Sequence, residues 1–164
     1  VAYDKLVIAT GCRSASFSTP GVLEYARFLK DVREARAIRQ QLLSCLELAS
    51  KPDVTPEERK RLLSFRVVGG GPTGVEFAAE LHDFVTQDVY RLYPKLKDQV
   101  EITLYDGSPN ILGGFDAHLR AYAEKKFARD GVTVKGNSRV TAVGRDWIEL
   151  KGGEKGELVL ESLS

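Results

Sequence analysis

The sequence predicts an α/β fold: a parallel sheet with flanking helices, followed by an antiparallel three-stranded β-meander. Three observations carry this. The β-rich runs FRVV (65–68) and VEITLYD (100–106) each precede a stretch with helical spacing. A glycine cluster, GGGPTG (69–74), sits where the first run gives way to its helix. From Val132 onward the pattern changes to short strands separated by turn residues.

Composition limits what the fold can do. A chain of 164 residues that is 43% hydrophobic suffices for one globular core, or for one domain carrying a piece of another. Its 24 basic and 23 acidic residues leave a formal charge of +1, so no electrostatic footprint points to nucleic acid or to an anionic membrane. The run EERKR (57–61) mixes signs and reads as a solvated helix face. Two cysteines, Cys12 and Cys45, match neither a disulfide framework nor a metal site. No apolar run approaches the ~18 residues of a membrane span, and the first residues lack the shape of a signal peptide. The chain begins inside an apparent strand and stops at LVLESLS, so it reads as an internal piece of a longer protein.

Taken in order, YDKLVIATG (3–11) is an apolar run bounded by turn residues, which predicts a buried parallel strand ending in a glycine turn. CRSASFSTPGV is a loop. A helix follows from about Asp31 to Ala49, its apolar stripe being Val32, Ala35, Ile38, Leu42, Cys45 and Ala49. Thr55 as N-cap, Pro56 in the first position and Glu58 completing a capping box start a short helix to about Leu63. The strand FRVV leads to a helix from 72 to about 91, and VEITLYD to a helix from near Asp116 to Gly131. Strand, helix, strand, helix is most economically a βαβ arrangement with parallel strands. VTV, RVTAVG, WIEL and ELVL then supply the meander, with turns at Asn137, Arg145-Asp146 and Gly152-Gly153.

The glycines have a chemical reading. Gly69, Gly71 and Gly74 form G-x-G-x-x-G directly after a strand and at the start of a helix, the Rossmann-like context that gives the pattern meaning. Gly69 permits a tight turn, Gly71 lets a pyrophosphate approach the backbone, and Gly74 with Ala78 lets the helix lie close on the sheet. Gly70, Pro72 and Thr73 complete the loop. The phosphates would meet open N–H groups at the positive end of a helix. A triphosphate-binding loop would need Lys-Ser or Lys-Thr after the last glycine, and Val75-Glu76 stands there instead.

Asp106 ends the second strand and is the candidate for the adenosine ribose, although it comes later than the usual ~20 residues after the glycines. Its carboxylate would accept ribose hydroxyls and repel a 2′-phosphate, while Gly107 and Ser108 bring no arginine to hold one; NADH should be preferred to NADPH. A turn-capping aspartate is the plainer reading. Glu76 also has two readings: a favourable charge early in a helix, or a group aimed at the redox centre. Glu80 reads as surface, and His82 and His118 as structural.

YDKLVIATG, TPGV, FLKDVREARAIR, RVVGGGPTGVEFAAELHDFV and SPNIL…FD together resemble the type II, non-proton-pumping NADH dehydrogenases, the alternative NADH:ubiquinone oxidoreductases. The segments SKPDVTPEERKRLLSF and DFVTQDVYRLYPKL are more similar to the mitochondrial branch. The resemblance implies a two-dinucleotide-binding-domain flavoprotein using NADH and FAD. Residues 1–28 would be the tail of an FAD segment with its crossover, and 29–164 an NADH domain lacking its last strand. It places Ala9, Thr10 and Gly11 in a turn near FAD, and matches Gly69, Gly71, Gly74 and Asp106 to NADH positions and Glu76 to a glutamate near the nicotinamide. Most FAD contacts would lie outside this chain. It further implies a quinone acceptor, a peripheral place on the mitochondrial inner membrane, and leaves a homodimer open. Two departures stand out: the crossover lacks Asn-Thr-Phe-Gly, and Asp106 replaces the more usual glutamate.

Two other functions fit the same residues. One is a soluble NADH-dependent reductase of a protein partner, which the lack of a C-x-x-C or C-x4-C pair weakens for disulfide substrates. The other is a non-catalytic NADH-binding module that reports redox state.

Overall fold

The computed structural model describes residues 2–152 and 155–157. Its order is α1 (Val22–Tyr25), α2 (Val32–Ala49), α3 (Pro56–Leu62), β1 (Ser64–Val68), α4 (Pro72–Phe84), a π-helical turn (Val85–Val89) running into α5 (Tyr90–Leu92), and a single 3₁₀ turn (Pro94–Leu96). Then come β2 (Glu101–Tyr105), α6 (Ala117–Asp130), β3 (Thr133–Lys135), β4 (Val140–Val143), β5 (Trp147–Leu150) and β6 (Lys155–Glu157).

β1, β2 and β3 form a parallel sheet in that order. Register is set so that Val68 lies opposite Tyr105 and Tyr105 opposite Lys135, which brings the carboxyl ends of all three strands to one edge. β4, β5 and β6 make the antiparallel meander. Both parts of the expected fold are therefore present, with one change of membership. The pattern of VTV predicts a meander strand, yet Thr133–Lys135 pairs parallel to β2. The reason is the crossover: α6 carries the chain back along the sheet, so the strand after Gly131 returns in the direction of β2. Most of ELVL lies outside the described residues.

The helix starts follow local chemistry. Asp31 accepts hydrogen bonds from the N–H groups of Arg33 and Glu34, and the Asp31 N–H in turn donates to the Glu34 carboxylate. Thr55 Oγ1 accepts from the Glu58 N–H at 3.1 Å. That is only half of the expected capping box, because no bond from the Thr55 N–H to the Glu58 carboxylate accompanies it among the described residues. Asp116 caps α6 through His118 and Leu119, and Gly131, in the left-handed conformation, ends it.

The main core joins α2, α3, β1, α4 and β2 through Ile38, Leu42, Cys45, Leu46, Leu62, Phe65, Ala78, Leu81 and Leu104. Cys45 is core packing, as its place on the stripe predicts, whereas Val32 and Ala35 at the head of the stripe face solvent. Most of EERKR is solvated; Arg59 departs from this by donating to the carbonyls of Ala49 and Lys51 at the end of α2. A smaller core of Tyr105, Val143, Ile148 and Leu150 holds the meander against Val22 and Tyr25. The Val143 N–H donates to the Pro20 carbonyl at 2.9 Å, and the close approach of Gly21 to the Val143 main chain leaves no room for a side chain.

The run 3–11 is not a strand. Tyr3, Leu6, Val7 and Ile8 are exposed, Val7 at 86%. A parallel strand is made by its neighbours, and no described strand pairs with this one.

Candidate dinucleotide-binding site

The carboxyl edge of the parallel sheet is where ligands bind in open α/β folds, and three segments converge there. The glycine loop leaves β1, the loop beginning at Asp106 leaves β2, and the turn Gly136–Arg139 leaves β3. Main-chain bonds lock them together. The Gly69 N–H donates to the Tyr105 carbonyl at 2.8 Å, the Asp106 N–H to the Lys135 carbonyl at 3.0 Å, and the Ser138 N–H to the Asp106 carbonyl at 2.7 Å. The Leu112 N–H closes onto the Gly70 carbonyl at 2.7 Å.

Each loop glycine answers a different demand. Gly69 has φ +112°, a conformation that side chains rarely tolerate. At Gly70 a Cβ would stand 2.8 Å from Ile111 Cγ2 and 3.0 Å from Asp106 Oδ2. At Gly74 a Cβ would overlap the Gly69 carbonyl, with Leu104 of β2 just beyond. This is the close helix-to-sheet approach expected of Gly74, and Ala78, fully buried one turn later, continues it. Gly71 is different: it has ordinary extended dihedrals and nothing lies within 4 Å of the position a Cβ would take. The fold itself makes no demand on Gly71.

Gly71 is also the N-cap of α4, and no side chain caps this end. Pro72 fills the first helical position and lacks an N–H in any case. The longer helices α2 and α6, and the short α3, are all capped by Asp31, Asp116 and Thr55. The first N–H groups of α4, those of Thr73 and Gly74 among them, therefore have no side-chain cap among the described residues, at the positive pole of a helix that borders a cavity.

Asp106 is half-buried and grips two loops at once. Its Oδ2 accepts from the Gly70 N–H and its Oδ1 from the Ser108 N–H, each at 2.6 Å. The plain turn-capping reading is thus part of its work, and a second part ties β2 to the glycine loop. A carboxylate carries about four lone-pair sites on two oxygens, so acceptor capacity remains for ribose hydroxyls.

Two cavities open beside these groups. One of about 570 Å³ is lined by Val68, Tyr105, Asp106, Ser108, Arg139 and Ile148, with Phe17 and Tyr25 from the preceding segment. A second of about 370 Å³ reaches Gly69, Gly71, Pro72, Thr73 and Gly74. Arg27, Phe28 and Arg66 border both. The Tyr25 hydroxyl is held above the ordinary phenol range, first by its hydrogen bond with Glu24 and then by burial, so it stays neutral. Arg66 donates to Thr103 Oγ1 at 3.0 Å and lies 3.7 Å from Glu101 Oε2.

The sequence reading did not single out Arg27, Phe28, Arg66 or Arg139. Arg66 carried a signal, being the one charged residue in FRVV. Arg139 carried none, since only the pairing of β3 with β2 brings its turn to Asp106. Glu76 lies on the solvent side of α4, past the first turn, and borders neither cavity. The dipole reading loses force there, because that effect fades within the first turn. Ala9, Thr10 and Gly11 are exposed and border neither cavity. His82 Nδ1 lies 3.2 Å from Asp83 Oδ1, His118 uses its N–H in the α6 cap, and no group of acidic, His or Cys residues among those described could hold a metal ion.

Comparison with known proteins identifies the family. The profile of the family described as "Pyridine nucleotide-disulphide oxidoreductase" matches residues 1–163. The chain belongs to this family. Within it, the chain is 50% identical over 159 residues to the external alternative NAD(P)H-ubiquinone oxidoreductase B4 of Arabidopsis thaliana mitochondria, covering 97% of this chain and 27% of that protein. It is 44% identical over 155 residues to the external NADH-ubiquinone oxidoreductase 2 of Saccharomyces cerevisiae mitochondria, covering 94% and 28%. Among solved structures, NDH2 from Plasmodium falciparum in complex with NADH superposes with a TM-score of 0.88 at 33% identity, covering 96% of this chain and 33% of that one. These relatives bear out the resemblance to the type II NADH dehydrogenases. The chain spans about a third or less of each.

Proposed function

We propose that this chain is the NADH-binding part of a flavin-dependent NADH:quinone oxidoreductase. The observation that carries the reading is the uncapped N-terminus of α4, bordered by a glycine the fold does not itself require. An anion with the reach of a pyrophosphate suits that gap. Gly69, Gly70 and Gly74 shape the cradle, Gly71, Pro72 and Thr73 line its open side, and Asp106 receives the adenosine ribose. Glu76 stands on the same helix for the nicotinamide end.

A bound FAD would supply the chemistry of accepting hydride from NADH and relaying electrons to a quinone. The exposed Ala9, Thr10 and Gly11 fit a turn passing near a flavin, not a pocket that encloses one, so segments outside this chain would supply most contacts. The chain's own part is to orient the dinucleotide and exclude water around it. The mitochondrial ubiquinone oxidoreductases among the relatives support a quinone acceptor and a mitochondrial setting. No described helix is long and apolar enough to cross a membrane; a peripheral place on the inner membrane through other segments, and a homodimer, complete the reading, as does a domain boundary near residue 28.

Calorimetric titration of the folded chain with NADH tests this, with Gly71→Ala as the control. Saturable binding that Gly71→Ala abolishes supports the cradle. Binding unchanged by that substitution rejects it.

A further inference from the structure

The turn that carries Phe17 departs from ordinary backbone at two consecutive residues. Phe17 has φ +50° and Ser18 φ +55°, and the Thr19 N–H donates to the Ser16 carbonyl at 2.9 Å, so the four residues close in the manner of a type I′ turn. Such a turn favours glycine, asparagine or aspartate in its two central places, and none of them stands there. A bulky side chain at positive φ is strained, and strain of this kind collects at ligand clamps and switches.

One side of the turn is fixed and the other is free. On the C-terminal side the Val143 N–H donates to the Pro20 carbonyl, a Cβ at Gly21 would overlap the Val143 carbonyl, and Val22 and Tyr25 pack on the meander core. On the N-terminal side residues 10–15 are exposed and belong to no described helix or strand. Phe17 borders the larger cavity, yet it is 86% exposed. The ring therefore packs on almost nothing, at the rim of a cavity whose inner wall includes the buried Tyr105 and Ile148.

That cavity opens beside Asp106, the residue assigned to the adenosine ribose, so the base joined to the ribose has to enter it; the phosphates face the other cavity, at the glycine loop. We propose that Phe17 is a dinucleotide-contacting residue carried on a flap: the turn 16–18 swings about its anchored base at Pro20 and Gly21 and lays the ring on the face of the bound adenine. The inference rests on the dinucleotide reading of the site and deepens it. A flat heteroaromatic base offers its face to an aromatic side chain whatever hydrogen bonds its edge makes. Closure takes the ring out of water and lets Phe17 leave the left-handed region, so the ligand supplies the surface that the closed state needs.

The test uses ADP-ribose beside NADH, because the shorter ligand keeps the adenine and its ribose and lacks the nicotinamide. Each is titrated into the wild type, Phe17→Ala, Phe17→Leu and Phe17→Tyr, with folding checked by circular dichroism. Phe17→Ala should weaken both ligands about tenfold, the size of one base–aromatic stack. Phe17→Tyr should bind as the wild type does, and Phe17→Leu should fall between. The movement is read separately with chymotrypsin, which cuts after exposed aromatic residues. Saturating ADP-ribose should slow the cut after Phe17 at least about fivefold, since cleavage follows the population of the open form. The cut after Tyr3, which is 66% exposed and borders neither cavity, should not change. Weakening of NADH alone, equal binding by all four proteins, or an unprotected Phe17 in a chain that binds ADP-ribose overturns the flap. A folded wild type that binds neither ligand overturns the dinucleotide reading itself.

Discussion

The Gly70 N–H donates to Asp106 Oδ2 at 2.6 Å, across 36 residues of sequence. This bond joins the phosphate loop after β1 to the acid at the end of β2. It explains why the loop has three consecutive glycines where the fingerprint asks for two of them: Gly70 must let the carboxylate reach the backbone. A side chain there would meet both Ile111 and Asp106.

Gly70→Ala should therefore cost about 1–3 kcal/mol, the range for forcing a methyl group into a packed site. Asp106→Asn should be milder: its one amide oxygen can keep the Gly70 N–H, and the bond it gives up is to the N–H of the exposed Ser108, which water can satisfy. Chemical denaturation of the two variants side by side checks the order.

Gly74→Ala and Gly71→Ala should separate stability from binding. The first drives a methyl group into the Gly69 carbonyl and lifts α4 from β2, with an expected loss of about 2 kcal/mol or more. The second has open space and permitted dihedrals, so its melting temperature should stay near that of wild type while NADH affinity falls at least about tenfold. A Gly71→Ala chain that melts early, or binds normally, contradicts this division.

Removing the α3 cap by Thr55→Ala should destabilise by about 1 kcal/mol. Arg59→Ala should add to that loss, since it withdraws the donors to the Ala49 and Lys51 carbonyls at the end of α2. A double variant measured by denaturation shows whether the two effects sum.

The acid limb of stability should depend on Asp31. Its carboxyl is held below the usual carboxylate range, first by the Glu34 N–H and then by Arg33. The folded value lies under the unfolded one, so the stabilisation is complete above the unfolded value and disappears as pH falls through the folded one. Asp130, lowered by Lys126 and then Arg129, acts in the same direction. Asp31→Asn keeps a capping oxygen but cannot titrate. Its stability should fall less steeply than that of wild type below the ordinary carboxylate pKa, as a series of unfolding curves from neutral to acid pH would show.

What the sequence revealed was local chemistry. Asp31, Thr55 and Asp116 start their helices with side-chain oxygens a few residues from the N–H groups they bind, so spacing alone identifies them. FRVV and VEITLYD became β1 and β2, and the glycine loop lies between strand and helix as its pattern requires. What stayed hidden depends on pairing between distant segments. YDKLVIATG has a strand's composition and no described strand beside it. VTV has the look of a meander strand but lies where α6 returns it to the parallel sheet. Arg139 reaches the site only because β3 lies next to β2, and no spacing rule connects it to Asp106.

The bond between Gly70 and Asp106 also fixes when the cradle can exist during folding. Its two ends meet only after β1 and β2 have paired, and pairing must bring Val68 opposite Tyr105. Closing so long a loop is slower than forming α4 alone. A chain that has made its helices but not aligned its strands holds an anion-attracting helix end without the turn that shapes it. Dinucleotide capture thus reports strand register, and the ligand that the site binds stabilises only molecules whose sheet is already in place.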